Sequence, residues 1–196
     1  MRSASAVAIA LALALAACST TPQAQVLRFH QGQSPTQGTI AMRPADPAMA
    51  NSLEFRAQTQ AVGAELQRQG FTIVSNPAQA QYVAVISVTT SDRLQAPRQS
   101  GVSVGLGGGF SRGNVGVGTS VNVPVGGQQQ PNVATTTVLS VAITRQQGNQ
   151  AVWEGRASLD TQAGGQSGTA LTPVLAGALF KDFPGPNGRT VNVSIR

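Results

Sequence analysis

The sequence predicts an α+β domain: two layers, with a mostly antiparallel or mixed sheet, two helices on one face, and a Gly/Val-rich hairpin-like insert. Three observations carry that prediction. Apolar and polar residues alternate along Thr135–Arg145, Ala151–Leu159 and Val191–Ile195, the period of a strand with one buried face. Only two stretches after residue 25 read as helices, Ser52–Gln69 and Thr172–Phe180. Charged residues make up 10% of the chain and aromatics 4%, against an excess of Gly, Gln, Ala, Thr and Val, a balance that favours strands with one polar face.

The chain begins with a short basic start, Met1-Arg2, and an apolar segment from Ala4 to Ala17. That segment has the length of a signal-peptide core and falls short of the ~20 residues of a membrane-spanning helix. Leu15-Ala16-Ala17-Cys18 places small residues directly before the single cysteine and resembles the lipobox of bacterial lipoproteins. That resemblance implies a cut before Cys18, with Cys18 diacylated on sulfur and usually acylated on its new amine. An ordinary secretory signal with an incidental cysteine is the alternative. Residues 1–17 are thus expected to be a lipoprotein signal peptide, 18–25 the acylated cysteine and its tether, and 26–196 one α+β domain. A polar tether of seven residues reaches about 25 Å at most, so the domain is expected close to the bilayer. Ser19 stands where inner-membrane retention in enterobacteria typically calls for Asp, which favours the periplasmic face of the outer membrane over the inner membrane. With Cys18 acylated, no thiol is left for a disulfide, a metal or a nucleophile.

Val26–His30 reads as a first strand and Thr39–Arg43 as a second, before Pro44 and Pro47 break the pattern. Asn51 with Glu54 three residues later resembles a capping box. The helix that follows repeats Phe55, Thr59, Val62 and Leu66 on one stripe. Gly70 occupies the helix C′ position, with Leu66 and Phe71 as the apolar pair of a Schellman ending. Phe71–Val74 either adds a short strand or runs straight into the stop at Ser75-Asn76-Pro77. Tyr82–Val88 starts apolar on both faces, as an interior strand covered by helix does.

Between the next two strands lies a loop around Gly148. If Gln146–Gln150 forms a five-residue loop, Arg145 pairs with Ala151, Ile143 with Trp153, Val141 with Gly155, Leu139 with Ala157 and Thr137 with Leu159. Leu139, Val141, Ile143, Trp153 and Leu159 then share one face, and Ser140, Thr144, Glu154, Arg156 and Ser158 the other. Glu154 is expected in a cross-strand ion pair. Thr172-Pro173 gives an N-cap and N1 pair for the second helix, which Pro184-Gly185-Pro186 closes. A last strand carries Val191, Val193 and Ile195. The resulting order is β-β-α-β-β-β-α-β.

The insert, at about 95–133, departs most from ordinary globular sequence. Valines at period two flank Gly107-Gly108-Gly109, which reads as a long hairpin. Glycine entropy, Pro124, Pro131 and the Gln128–Gln130 run support a mobile low-complexity loop instead. No dinucleotide or phosphate-loop fingerprint is complete here.

Chemistry is sparse. His30 is the only histidine and reads as a half-exposed strand residue. The seven carboxylates show no paired or His-linked spacing, and no nucleophile elbow appears. The expected catalytic, cofactor and metal residues are therefore none, and no cofactor is expected. The basic groups, all Arg except Lys181, are scattered without the aromatic-interleaved patch of nucleic-acid binders, so no nucleic-acid partner is expected.

Several short motifs resemble the bacterial lipoproteins that carry domain of unknown function 4136: Gly38–Pro44, Gln69-Gly70-Phe71, Ala80–Val85, Val152–Gly155 and Leu179–Gly185. Gln81 stands where members often have Asp. The resemblance implies an exported lipoprotein domain and no activity. The functional expectation is a lipid-anchored cell-envelope protein, attached to the membrane by acyl chains on Cys18. It would be a non-enzymatic binding or assembly module with an envelope protein as partner. The alternatives are an envelope hydrolase acting on peptidoglycan or glycolipid, and an accessory lipoprotein of a transport or secretion complex.

Overall fold

The computed structural model describes residues 22–32, 34–95, 132–162 and 164–195. The expected signal peptide, the expected acylation site at Cys18 and the Gly-rich centre of the insert lie outside the described residues. The elements are β1 (Gln23–His30), β2 (Gly38–Pro44), α1 (Leu53–Arg68), β3 (Phe71–Ile73), β4 (Tyr82–Gln95), β5 (Asn132–Arg145), β6 (Gln150–Gln162), α2 (Thr172–Phe180) and β7 (Thr190–Ser194). The seven strands form one sheet in the order β3-β2-β4-β5-β6-β1-β7. β2 runs parallel to both β3 and β4, and the remaining pairs are antiparallel. The sheet is mixed, and the α+β prediction stands.

Both helices contribute to one buried cluster with a single face of the sheet. Phe55, Val62 and Leu66 come from α1, Leu175 and Leu179 from α2, and Ile40, Ile86, Leu139, Val141, Ile143 and Trp153 from the strands.

α1 starts one residue later than the Asn51 box implies. Ser52 is the N-cap, and its hydroxyl accepts from the Phe55 N–H at 2.9 Å, satisfying one of the donors that a helix start leaves free. The buried stripe is Phe55, Gln58, Val62 and Leu66, with Thr59 at its rim. Gln58 is buried because its amide bonds Glu54 and Thr169. The ending is as expected: Gly70 has φ +99°, and its N–H donates to the Gln67 carbonyl at 3.0 Å. Leu66→Ala is expected to cost about 3 kcal/mol, and Gln67→Ala on the exposed side less than ~0.5 kcal/mol. Thermal melts giving equal shifts would show that the helical phase is wrong.

The register across β5 and β6 is the expected one from Thr137↔Leu159 to Ile143↔Trp153. The turn differs. Arg145 pairs with Gln150, not Ala151, and the register shifts between Ile143 and Thr144. The loop is therefore Gln146–Asn149, turned by left-handed Gly148 (φ +81°) and Asn149 (φ +48°). Val152, the extra residue of the bulge, is buried next to Trp153. Glu154 is exposed, but its cross-strand neighbours are Ala142 and Phe29. No ion pair forms there among the described residues.

Three boundaries move for tertiary reasons. Gln23–Gln25, expected in the tether, form the start of β1 and pair with β7, with Ala24 fully buried. Thr172 is the first residue of α2 after a 3₁₀ turn at Gly168–Leu171, and its buried hydroxyl has no partner among the described residues. β4 and β5 continue past Val88 to the pair Gln95↔Asn132, so the two ends of the expected insert are strand.

Candidate functional site

Cys18, the one site residue expected from the sequence, lies outside the described residues. The described residues contain two other features, a polar groove and a buried arginine behind it. An aromatic row joins them.

The groove is a hollow of about 680 Å³ at the end of the sheet where β2 and β4 begin and β5 ends. The 34–38 loop forms one wall, with Ser34, Thr36 and Gln37. Thr72 of β3 and the turn at Gly70 form another, and Gln81, Tyr82 and Arg145 form the floor. Gln81, Tyr82 and Arg145 also border a neighbouring hollow of about 430 Å³ with Gln146 and Gln147. Two glycines allow this closeness. A Cβ on Gly70 would lie 2.7 Å from the Thr36 carbonyl oxygen. One on Gly38 (φ +129°) would lie 3.0 Å from the Tyr82 ring. Gln81 is held by Thr39, whose N–H donates to the Gln81 Oε1 at 3.3 Å and whose hydroxyl accepts from the Gln81 N–H at 3.0 Å.

Among the described residues no carboxylate or histidine lines either hollow, and Arg145 is the single charged side chain in both. The one ion pair among the described residues joins Arg68 to Glu65, so Arg145 has no carboxylate partner there. The Ser34 hydroxyl is shut off from solvent and has no hydrogen-bond partner among the described residues.

Tyr82 leads from the groove to the interior. Its ring meets Phe71 edge-on at 6.1 Å, and Phe71 meets Phe183 at 6.4 Å. Phe183 lies 5.2 Å from Trp153, which stacks on Phe180 at 5.3 Å. The segment Leu179–Gly185 is bound from the sheet by three side chains. Arg28, only 2% exposed, donates from Nε to the Leu179 carbonyl at 2.8 Å, and from Nη2 to the Ala178 and Lys181 carbonyls at 3.0 and 2.9 Å. These are carbonyls at the C-terminal end of α2, where the helix has no internal donors and a cation complements its dipole. Burial pushes the Arg28 guanidinium below the usual arginine value, and the charge of Asp182 offsets part of that. The Trp153 Nε1–H donates to the Pro184 carbonyl at 3.1 Å. His30 accepts from the Gly32 N–H at Nδ1, which leaves Nε2 as the protonated nitrogen facing the Gly185 carbonyl at 3.1 Å.

His30 is half-buried, as expected, and bound to backbone. Arg28 was one of the scattered basic residues in the sequence, and no local signal marks it as interior. The groove residues come from four separate stretches of chain, and their meeting depends on the sheet order. Among the described residues no cluster of three or more His, Cys, Asp or Glu side chains could hold a metal, and no helix is long and apolar enough to cross a membrane.

A family model described as "Domain of unknown function (DUF4136)" matches residues 28–185. The match begins at Arg28 and ends at Gly185, two residues in contact in the fold, where a Cβ on Gly185 would lie 2.6 Å from the Arg28 Nη1. An uncharacterized protein of Zymomonas mobilis subsp. mobilis is 30% identical over 215 aligned positions, covering 88% of this chain and 81% of that protein. Among solved structures, a PDZ domain protein from Parabacteroides distasonis matches with a TM-score of 0.44 and 11% identity over 92% of this chain. The chain spans 41% of the length of that protein. A PelC dodecamer from Paraburkholderia phytofirmans matches with a TM-score of 0.38 and 10% identity, over 78% of this chain and 91% of that one.

Proposed function

From the premise that this chain belongs to the DUF4136 family, whose description names no reaction, we propose that it is a lipid-anchored cell-envelope protein that binds rather than catalyses. The observation that carries the binding role is the groove around Gln81, Tyr82 and Arg145, a recess lined by amides, hydroxyls and one cation. General acid–base or glycosidase chemistry needs a titratable pair in reach of substrate, and among the described residues the groove lining has neither a carboxylate nor a histidine. The anchoring role rests on Leu15-Ala16-Ala17-Cys18. With β1 beginning at Gln23, the stretch from Cys18 to the folded domain reaches roughly 18 Å at most, which holds the domain against the bilayer. Two or more acyl chains suffice for stable attachment, and Ser19 favours the outer membrane.

The expected result for Cys18→Ser is loss of acyl labelling and release of the protein from membranes. Retention of the variant after a high-salt wash would refute anchoring. For the binding role, a photo-crosslinking side chain at Gln81 is expected to capture an envelope component in living cells, while the same group at exposed Gln67 captures none. Equal capture from both positions removes the groove from the function. Purified protein incubated with sacculi should release no soluble fragments, whereas release would replace binding by hydrolysis.

A further inference from the structure

We infer that the groove recognises a carboxylate-bearing glycan, with Arg145 taking the carboxylate and the surrounding amides and hydroxyls taking sugar hydroxyl and acetamido groups. This rests on the binding reading above and specifies its ligand class.

The lining supports this chemistry. A planar guanidinium without a carboxylate partner among the described residues presents a fork that matches a carboxylate in two parallel hydrogen bonds. Because the Gln81 Oε1 is committed to Thr39, its NH₂ group is the end free to donate to a ligand. Thr72 adds a hydroxyl, and the half-buried Tyr82 ring adds a flat wall. A phosphate group fits less well. Phosphate sites gather several backbone N–H donors at a helix N-terminus or nest, whereas among the described residues no helix N-terminus lines this groove and Arg145 is its one cation.

Position supports the same ligand. The chain enters the sheet at Pro22, next to Ile195, whose N–H donates to the Pro22 carbonyl. Following the cross-strand pairs from β1 through β6 and β5, the Pro22 end lies level with Asp92 of β4, and the groove lies at Tyr82. Ten residues of extended strand separate those levels, roughly 33 Å at ~3.3 Å per residue. With Cys18 in the bilayer, the groove opens at the far end of the domain, away from lipid head groups. An outer-membrane anchor on the periplasmic side would aim it at the cell-wall polymer.

Isothermal titration of the full acylated protein in detergent micelles tests the assignment. The probes are a disaccharide-peptide released from sacculi by a muramidase, neutral chitotetraose and inorganic phosphate. The disaccharide-peptide is expected to bind saturably, chitotetraose at least tenfold more weakly, and Arg145→Gln to weaken the first at least tenfold without shifting the melting temperature. Unchanged affinity in Arg145→Gln, equal binding of chitotetraose, or no saturable binding of either sugar overturns the assignment. Displacement of the disaccharide-peptide by equimolar phosphate does so too, in favour of a phosphate ligand. Should the sugars fail while Gln81 still crosslinks a partner in cells, the ligand class is wrong and the binding role stands. Cleavage of the disaccharide-peptide on incubation would instead defeat the non-catalytic reading.

Discussion

Arg28→Met is expected to lower the free energy of unfolding by about 3–5 kcal/mol. The side chain keeps most of its apolar stem, but the carbonyls of Ala178, Leu179 and Lys181 lose their donor together. At a site where Arg28 is 2% exposed, water cannot replace a guanidinium without opening the contact between β1 and the end of α2. Each buried acceptor left unpaired costs about 1–3 kcal/mol, and the favourable pairing of a cation with the helix C-terminus is lost as well. Arg28→Lys should recover less than half of the loss, because one ammonium cannot reproduce a planar fork spread over three carbonyls. Urea unfolding is the measurement, read from midpoints at constant m. A loss below about 1 kcal/mol in Arg28→Met would mean that water reaches those carbonyls and that the arginine does not hold the segment.

Trp153→Ala should cost a similar amount, about 3–5 kcal/mol. The indole is 1% exposed and lies over Gly155, where a Cβ would also come within 2.8 Å of the Leu179 Cδ1. Its removal empties the space between β6 and α2, takes the stacking partner from Phe180 and leaves the Pro184 carbonyl without its donor. Trp153→Phe separates these contributions, since it retains an aromatic ring against Phe180 and Phe183 but has no N–H. It is expected to lose about 1–2 kcal/mol, from one hydrogen bond and a modest volume change. Unfolding followed by far-UV circular dichroism gives both values, because the chain has no other tryptophan to report by fluorescence. Equal losses in the two variants would assign the effect to the Pro184 hydrogen bond and not to packing.

The β5–β6 pair shows how far the sequence can be read. Alternation places Leu139, Val141, Ile143 and Trp153 on one face, and the structure pairs them as expected. The turn is one residue shorter than alternation predicts, because Val152 and Trp153 are both apolar and period-two counting cannot detect Val152 as the extra residue of a bulge. At α1, Asn51 and Ser52 are both good capping residues, and the hydroxyl that reaches the Phe55 N–H belongs to Ser52. In β1 hydropathy points the wrong way. It would turn Leu27 and Phe29 inward, yet Phe29 is 50% exposed while Val26 and Arg28 face the core. The carbonyls at the end of α2 supply the polar partners that make Arg28 acceptable inside.

By itself the sequence determined the α+β class, the span and glycine stop of α1, the facing residues of the β5–β6 pair and membership of the family. These depend on periods of 2 and 3.6 residues and on caps, all set by backbone geometry within a few positions. The tertiary structure alone decided the strand order, with β2 parallel between β3 and β4, the burial of Arg28 and the assembly of the groove from four stretches. Those outcomes hang on contacts between residues as far apart as Arg28 and Leu179, or Thr39 and Gln81. No local period records such a contact, because a polar residue's place inside depends on which partners the rest of the fold brings to it.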